Sequence, residues 1–590
     1  MDRSSPVRVL GCLALALAMM GRWATAPLSS LPGFDNVDLW DTVMLRGAVA
    51  ELLRDPARAP WSEAVFAPGG YPILELTPNL LDHLTGALFD LLLPFPLSDG
   101  LWWLVVLSLN GLAAHALGRK LGGSEGAGWL FAAAFALSEP IAREANLHHA
   151  PQAMAFWGPW FVLALLRLRE RPTAAAAALA GALLGLAGLS YWYGALFLGL
   201  GCLPLLWGIP ALRLFQLGLV TAAVSAPFLL PFLLSWGEIP LTAGAEPPPA
   251  MGMPEGIAAL AAREGFVAWH GNDPAFFLRR EPMDISNRVS PVLLLAAVLG
   301  ARQSGRGPWL WMAGLGAVMV LGPVLMWAQE PLRVGGHTIP LPFAWLRALH
   351  PFLERLTWPE RFGVLIPLGL GALAVRAPRP ALWGLALVIE SFALSRNLPL
   401  QAVDLADRSC HAELEGGAPG AVLELPLRRP GMMSQRPGVH RRFHGRPSAN
   451  PILLPPGARP PEAWEAWQDD QPLLRALDRL DKASLSAVGE AEVEALRASG
   501  VAVLLLDAEP GVLLRRTDLL RTEEALTSLL GPPVDLGCAL AWWLGEGEAP
   551  FEASPEEGAA WREEAWTRKQ EAEVVDLPTL IRPARNRGGW

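Results

Sequence analysis

Pro78-Asn79-Leu80-Leu81-Asp82-His83-Leu84-Thr85-Gly86-Ala87-Leu88-Phe89-Asp90-Leu91-Leu92-Leu93-Pro94-Phe95 decides how the chain is threaded. The stretch is long and leucine-rich enough to cross a bilayer, yet it carries Asp82, His83 and Asp90. Ionisable groups are costly at bilayer depth. Counted as a span, it would put the basic run Arg167-Leu168-Arg169-Glu170-Arg171 outside, against the tendency of Lys and Arg to stay cytoplasmic. Read as an amphipathic helix lying at the membrane surface, it leaves that run inside. The second reading is adopted, and the topology follows from it.

The remaining apolar runs lie at about 7–25, 100–118, 125–142, 152–168, 173–190, 191–208, 211–236, 289–303, 308–328, 360–378 and 381–396. About eleven transmembrane helices are therefore expected, with the N-terminus cytoplasmic and the C-terminus extracytoplasmic. Composition agrees: 52% of the 590 residues are hydrophobic and 17% charged, where a soluble domain carries about a quarter charged. Mean hydropathy is +0.31. The net charge of -9 gives no case for a nucleic-acid partner. Residues 1–26 also resemble a secretory signal ending at Ala24-Thr25-Ala26, although an uncleaved first helix suits a multi-pass chain better.

The expected organisation is a transmembrane domain over 1–396, with a first extracytoplasmic loop at 27–99 and a long one at 237–288. A soluble α/β domain follows at 397–550, then a charged, poorly ordered tail at 551–590. Ala421–Leu425 and Val501–Leu506 read as strands, and Ala491–Ser499 and Glu523–Leu530 as helices. Cys12 and Cys202 fall in apolar runs. Cys410 and Cys538 lie in the extracytoplasmic part, where one disulfide is open to them.

This threading gathers the polar loops on one face. Asp35 and Asp38, three apart, can bind a divalent cation or supply a general base; Asp38 and Asp41 can equally favour the start of a helix Trp40–Arg54. Glu139, Glu144, His148 and His149 form a second cluster, able to complete a metal site or orient a leaving group, or simply to be a solvated loop. Tyr191-Trp192-Tyr193 suits sugar or isoprenoid stacking, or an interfacial aromatic belt. Arg355 and Arg361 can grip a phosphate or anchor the next helix at the headgroups. No Walker A loop, Rossmann glycine pattern, Gly-x-Ser-x-Gly elbow or Cys-x-x-Cys pair occurs, so nucleotide-driven transport and serine hydrolysis have no support.

A series of motifs carries a family likeness: the acidic first loop at Asp35; Phe66-Ala67-Pro68-Gly69-Gly70; Ala132–Pro140 leading to Asn146-Leu147-His148-His149; and Gly188-Leu189-Ser190-Tyr191-Trp192-Tyr193. Leu356-Thr357-Trp358-Pro359-Glu360-Arg361-Phe362, Val422-Leu423-Glu424-Leu425-Pro426 and His444-Gly445-Arg446-Pro447 continue it. In this order they resemble the GT-C superfamily of polytopic membrane glycosyltransferases, most closely bacterial members with a large extracytoplasmic C-terminal domain. The resemblance implies an inner-membrane enzyme that moves a sugar from a polyprenyl-phosphate donor to an extracytoplasmic glycan, lipid or protein acceptor. It also implies a first-loop aspartate as general base, commonly with a divalent metal (Mg or Mn). Asp35 matches that role and Asp38 is the adjacent alternative. Asp38, Glu144 and His148 would hold the metal, while Arg361, Arg355, Tyr191, Tyr193 and His149 would contact substrate or phosphate. A flippase of lipid-linked glycans, which would lean on mid-membrane groups such as His115, and an inactive scaffold of envelope assembly are the competing readings.

Overall fold

The computed structural model describes residues 5–58, 61–62, 65–67, 70–72, 79–234, 274–277, 287–302, 305–327, 330–335, 337–349, 353, 356, 358–415, 420–425, 436–451, 461–479, 488–507, 516–545 and 549. Most of the expected loop 237–288 and the whole tail 551–590 lie outside these residues, as does Arg355.

The first two-thirds of the chain is helical. In order come α1 (Ser5–Met20), α2 (Val37–Arg54), α3 (Leu80–Leu92), α4 (Leu97–Gly122), α5 (Glu125–Ala136), α6 (Glu139–Asn146), α7 (Trp157–Glu170), α8 (Ala174–Ser190), α9 (Trp192–Gly201) and α10 (Ala211–Leu234). After these stand α11 (Pro291–Gly300), α12 (Gly307–Val320), α13 (Leu365–Ala374) and α14 (Pro380–Leu394). Helix α4 packs on α1, α3, α5 and α7, and α5 on α13 and α14, so one continuous apolar core runs through the bundle. Among the described residues, α4 alone is long and apolar enough to cross a membrane unaided; seven shorter apolar helices accompany it. Large apolar side chains point away from the bundle along α10, α11 and α14, including Phe215 (67% exposed), Val298 (60%) and Ile389 (62%). Outward apolar surface of this extent marks a non-aqueous or protein environment.

The decisive stretch forms α3, and its amphipathicity is turned inside out. Asp82, His83 and Asp90 are buried, whereas Leu88, Leu91 and Leu92 face outward. The polar face meets Arg46 of α2, which crosses α3 at Gly86; a Cβ there would come within 2.5 Å of the arginine side chain. Arg46 pairs with Asp99 and lies 3.6 Å above the Trp102 ring. Thus α3 presents leucines outward and acids to the protein, where a helix floating on a membrane would send its acids to water.

Two apolar runs are interrupted where polar groups are needed. The run 125–142 breaks at Leu137–Ser138, because Pro140 sits in the first turn of a new helix, α6. The run 360–378 opens as a 3-10 turn, Pro359–Val364, before α13. Hydropathy averages over windows longer than these kinks and does not see them. The expected division between the runs 173–190 and 191–208 falls at Tyr191, whose backbone is extended (φ -156°, ψ 101°).

The C-terminal part holds β3 (Ala421–Leu425), β4 (Val501–Asp507), β5 (Val534–Asp535) and β6 (Ala539–Trp543), in sheet order β5-β6-β4-β3. β4 runs parallel to β3 and antiparallel to β6. The parallel pair requires a crossover, which contains α15 (Arg436–His444) and further helices ending in Glu490–Ala498. Cys410 and Cys538 are disulfide-bonded beside this sheet, and Cys12 and Cys202 are buried thiols. Two ties bind this part to the bundle. β1 (Ser30–Pro32) pairs antiparallel with β2 (Ala402–Asp404). From α15, Arg441 pairs with Glu51 and Arg442 lies 2.7 Å from Asp90.

Candidate active site

The first loop and the histidine loop form one structure. Asn36 caps α2, its side chain accepting from Leu39 N at 2.8 Å, and its amide donates to the Leu147 carbonyl at 3.2 Å. The cap is therefore Asn36 and not an aspartate, which leaves the Asp38 carboxylate available in the first turn. Phe34 N donates to the Asn146 carbonyl at 2.6 Å. Gly33 (φ +123°) allows this approach, since a Cβ would stand 3.1 Å from both Asn146 O and His148 Nδ1.

Helix α6 is wholly buried. Asn146 is clamped by residues far along the chain: its side-chain oxygen accepts from Gln401 N at 2.9 Å, and its amide donates at 3.2 Å to Asn397, which donates to Glu139 at 2.7 Å. That clamp holds Glu144 next to Arg143, with which it pairs. His149 then bridges two carboxylates, Glu144 at 2.6 Å from Nδ1 and Asp38 at 2.9 Å from Nε2. Burial works against charge on this imidazole, but Asp38 and Glu144 outweigh it and raise its pKa to about 9. Desolvation likewise opposes charge on both acids. For Asp38 it is overcome by His149 and Arg361, and for Glu144 by Arg143 and His149, so both stay below the usual carboxylate range.

Arg361, in the 3-10 turn before α13, donates to the Tyr191 hydroxyl at 3.1 Å. Its guanidinium lies 5.7 Å from the Tyr191 ring centroid and 5.5 Å from that of Trp358. Burial disfavours this cation, yet Tyr191, Glu144 and Glu360 keep it protonated. Arg143, Glu144, Tyr191 and Arg361 line a cavity whose other walls include Phe135, Ile141, Trp157, Phe197 and Leu368. His149 stands between Glu144 in that wall and Asp38, whose side chain is 51% exposed. A ligand in the cavity and a partner from solvent would meet there.

Of the residues singled out in the sequence, the structure brings Asp38, Glu144, His149, Tyr191 and Arg361 together. Tyr193 packs edge-on to Tyr191 at 5.4 Å, behind the cavity. Asp35 accepts from Trp40 Nε1 at 2.7 Å and has no hydrogen bond to His149 or Glu144 among those described. His148 is turned into the protein: Trp103 Nε1 lies 3.0 Å from its Nε2 and the Pro32 carbonyl 2.9 Å from its Nδ1. His115 belongs to the other end of α4, 3.3 Å from Glu125. Arg143 and Glu360, both buried, complete the charge set; Glu360 lies in the stretch Leu356–Phe362 singled out in the sequence, but the sequence assigns neither residue a role. Only adjacency to Glu144 and Arg361 points to them.

Asp38 and Glu144 are the hard oxygen donors that Mg or Mn takes. As arranged, however, they do not fit a divalent ion: His149 already engages an oxygen of each, and His148 is directed elsewhere. Among the described residues, the one convergent group of three potential ligand residues is Cys410, His411 and Cys538, in the C-terminal part, and its two cysteines are taken up by the disulfide.

No family model matches the sequence, and no curated protein is similar to it in sequence. In structure, the chain is similar to the arabinofuranosyltransferase AftD from Mycobacteria, with a TM-score of 0.51 and 16% identity over 93% of this chain. It spans 42% of the length of AftD. Weaker overlaps are found with ArnT from Cupriavidus metallidurans, bound to undecaprenyl phosphate (TM-score 0.38, 13% identity, 92% of this chain and 100% of that one). AglB from Archaeoglobus fulgidus, an oligosaccharyltransferase in complex with an inhibitory peptide and a dolichol-phosphate, overlaps similarly (TM-score 0.36, 15% identity, 86% and 70%). The chain has a GT-C-like fold.

Proposed function

We propose that this GT-C-like chain is a membrane glycosyltransferase that moves a sugar from a polyprenyl-phosphate donor to an extracytoplasmic acceptor: a glycan, lipid or protein. It would sit in the inner membrane with about eleven spans, its N-terminus cytoplasmic and its C-terminal α/β part on the acceptor side. One observation carries the reading: the Asp38–His149–Glu144 bridge adjoins, through Glu144, a largely apolar cavity that Arg361 and Tyr191 also line. An isoprenoid chain suits the apolar walls, and a phosphate suits a buried arginine with a phenol beside it. AftD, which shares the fold, transfers a furanosyl sugar.

In this mechanism the acceptor hydroxyl approaches from solvent and gives its proton to the Asp38 carboxylate. The acceptor oxygen bonds to the anomeric carbon on the face opposite the phosphate, so the configuration inverts. The bond from that carbon to the phosphate oxygen breaks, and its electron pair leaves with the polyprenyl phosphate. Arg361 neutralises the departing charge, and the Tyr191 hydroxyl, which accepts from Arg361, has its own proton to donate there. His149, protonated near neutral pH, keeps Asp38 ionised and oriented. Asp38 is proposed as the base in preference to Asp35 because it is the acid joined to this bridge. A flippase is less favoured, since His115 stands towards the end of α4, 3.3 Å from Glu125, and not at mid-bundle.

The test is a lipid-linked-sugar transfer assay on inserted protein. Asp38→Asn should lower the rate by about 10²–10⁴-fold, the usual worth of a positioned acid or base. Asp35→Asn should change it by no more than about twofold, as for a surface substitution. The reverse outcome would move the base to Asp35. Full activity in both variants would end the assignment.

A further inference from the structure

Beside Arg361 stands a side chain that carries no charge. Gln152 lies in the short helix Ala150–Ala153, just after His149, and lines the same cavity as Arg361 and Tyr191. Its amide is oriented by its neighbours: one end meets Arg361 Nη1 at 3.2 Å and the other the His149 carbonyl at 3.2 Å. A donor needs an acceptor opposite it, so the amide oxygen points to the guanidinium and the nitrogen to the carbonyl. The His149 carbonyl already accepts from the backbone N–H groups of Gln152 and Ala153, at 3.1 and 3.0 Å. The contact to the carbonyl therefore fixes the amide more than it adds stability. The contact to Arg361 is the informative one.

Arg361 Nη1 donates to two uncharged acceptors, the Tyr191 hydroxyl at 3.1 Å and the Gln152 amide oxygen at 3.2 Å. These use both N–H bonds of that nitrogen. Nε and Nη2 have no hydrogen bond among the described residues, and neither is sealed in the interior. Together they form the edge of the guanidinium whose parallel N–H bonds take two oxygens of one carboxylate or phosphate. No carboxylate among the described residues forms an ion pair with Arg361, although Glu144 and Glu360 act on it through space. A glutamate in place of Gln152 would accept the same hydrogen bond and neutralise the cation as well. An amide orients the guanidinium and leaves its charge to a ligand.

We propose that Gln152 is the positioning residue of the phosphate site: it turns Arg361 so that the Nε–Nη2 edge meets the two non-bridging oxygens of a phosphodiester, without spending the positive charge. The inference rests on the polyprenyl-phosphate reading of this cavity and adds the residue that sets the arginine's orientation. It requires an uncharged acceptor at position 152, not merely a polar one.

The experiment is equilibrium binding of farnesyl phosphate to the full chain in detergent, with farnesol as the uncharged control and Tm measured on the same samples. The wild type should prefer the phosphate. Gln152→Glu keeps the acceptor and adds a negative charge. It should lower the affinity for farnesyl phosphate about tenfold, or about 1.4 kcal/mol, leave farnesol binding unchanged, and hold or raise Tm because Arg361 gains an ion pair. Gln152→Met, of similar length but without the acceptor, should lower the same affinity about fivefold, the worth of one hydrogen bond. Unchanged phosphate affinity in both variants overturns the proposal. A lower Tm with the affinity per folded molecule retained would make Gln152 a structural residue only, and overturns it too. Absence of a preference in the wild type overturns the polyprenyl-phosphate reading itself. That outcome is distinct from failure of the role given to Gln152, which shows as a wild-type preference that the variants do not diminish.

Discussion

His148 and His149 are neighbours in the chain and belong to different regions of the molecule. His148, with φ +61°, turns into the protein against Trp103, with Asp99 of the buried Arg46 pair 3.5 Å away. His149 turns outward and stands between Asp38 and Glu144. The first region is an enclosed electrostatic knot in which each charge has an opposite one at hand. The second has the same ingredients, but one carboxylate is half-open to water and an arginine faces a cavity. A buried pair fixes geometry, whereas an incompletely enclosed one leaves charge to spend on a ligand. Residue type alone does not separate them; the left-handed turn at His148 does.

The comparison can be broken at several points. After Asp38→Asn, Arg361→Ala should cost the most, about 10²–10³-fold in transfer rate, as for removal of one donor from a developing anion. An equal loss in KM alone would mean that the arginine binds substrate without favouring the transition state. His149→Ala should follow with about 100-fold, the cost of a misplaced group, and should remove the alkaline limb of the rate profile. That limb is set by His149, whose pKa is raised to about 9. A raised basic pKa adds stability that is full below about 6.5, the unfolded value, and is lost as pH rises through about 9. Asp38 and Glu144, both lowered, act in the opposite sense, their contribution fading on acidification below the usual carboxylate range. A wild-type profile flat between pH 8 and pH 10 would contradict the bridge. His148→Ala should do least to chemistry. It should lower stability by about 1–3 kcal/mol through the exposed hydrogen-bond deficit at Trp103, read as a lower Tm with the rate per folded molecule retained.

Much of this was legible from local pattern. The apolar runs mark the helices, and the order of Asp38, Glu144, His149, Tyr191 and Arg361 along the chain follows the loops that bring them together. What stayed hidden depends on long-range partners. Nothing local marks Arg143 or, within its motif, Glu360 as part of the charge set, and their burial beside Glu144 and Arg361 comes from the packing of α6 against the turn before α13. The choice between Asp35 and Asp38 turns on Asn36, which caps α2 through contacts to Leu147, 111 positions away. The inverted face of α3 is hidden for a similar reason, because nothing within 78–95 announces that Arg46 will meet its acids.

The seam between β1 and β2 has a kinetic consequence. Gly33 N donates to the Gln401 carbonyl at 2.7 Å, and the next amide, of Phe34, reaches Asn146. Two consecutive peptide groups therefore join the C-terminal part to the histidine loop, with Asp38 four residues further on. If the C-terminal part recruits the acceptor and Asp38 is the base, as proposed, the two share one stretch of backbone and are not separable steps. Weak engagement of an acceptor by the C-terminal part would then appear as slow turnover at saturation, and not only as a high KM.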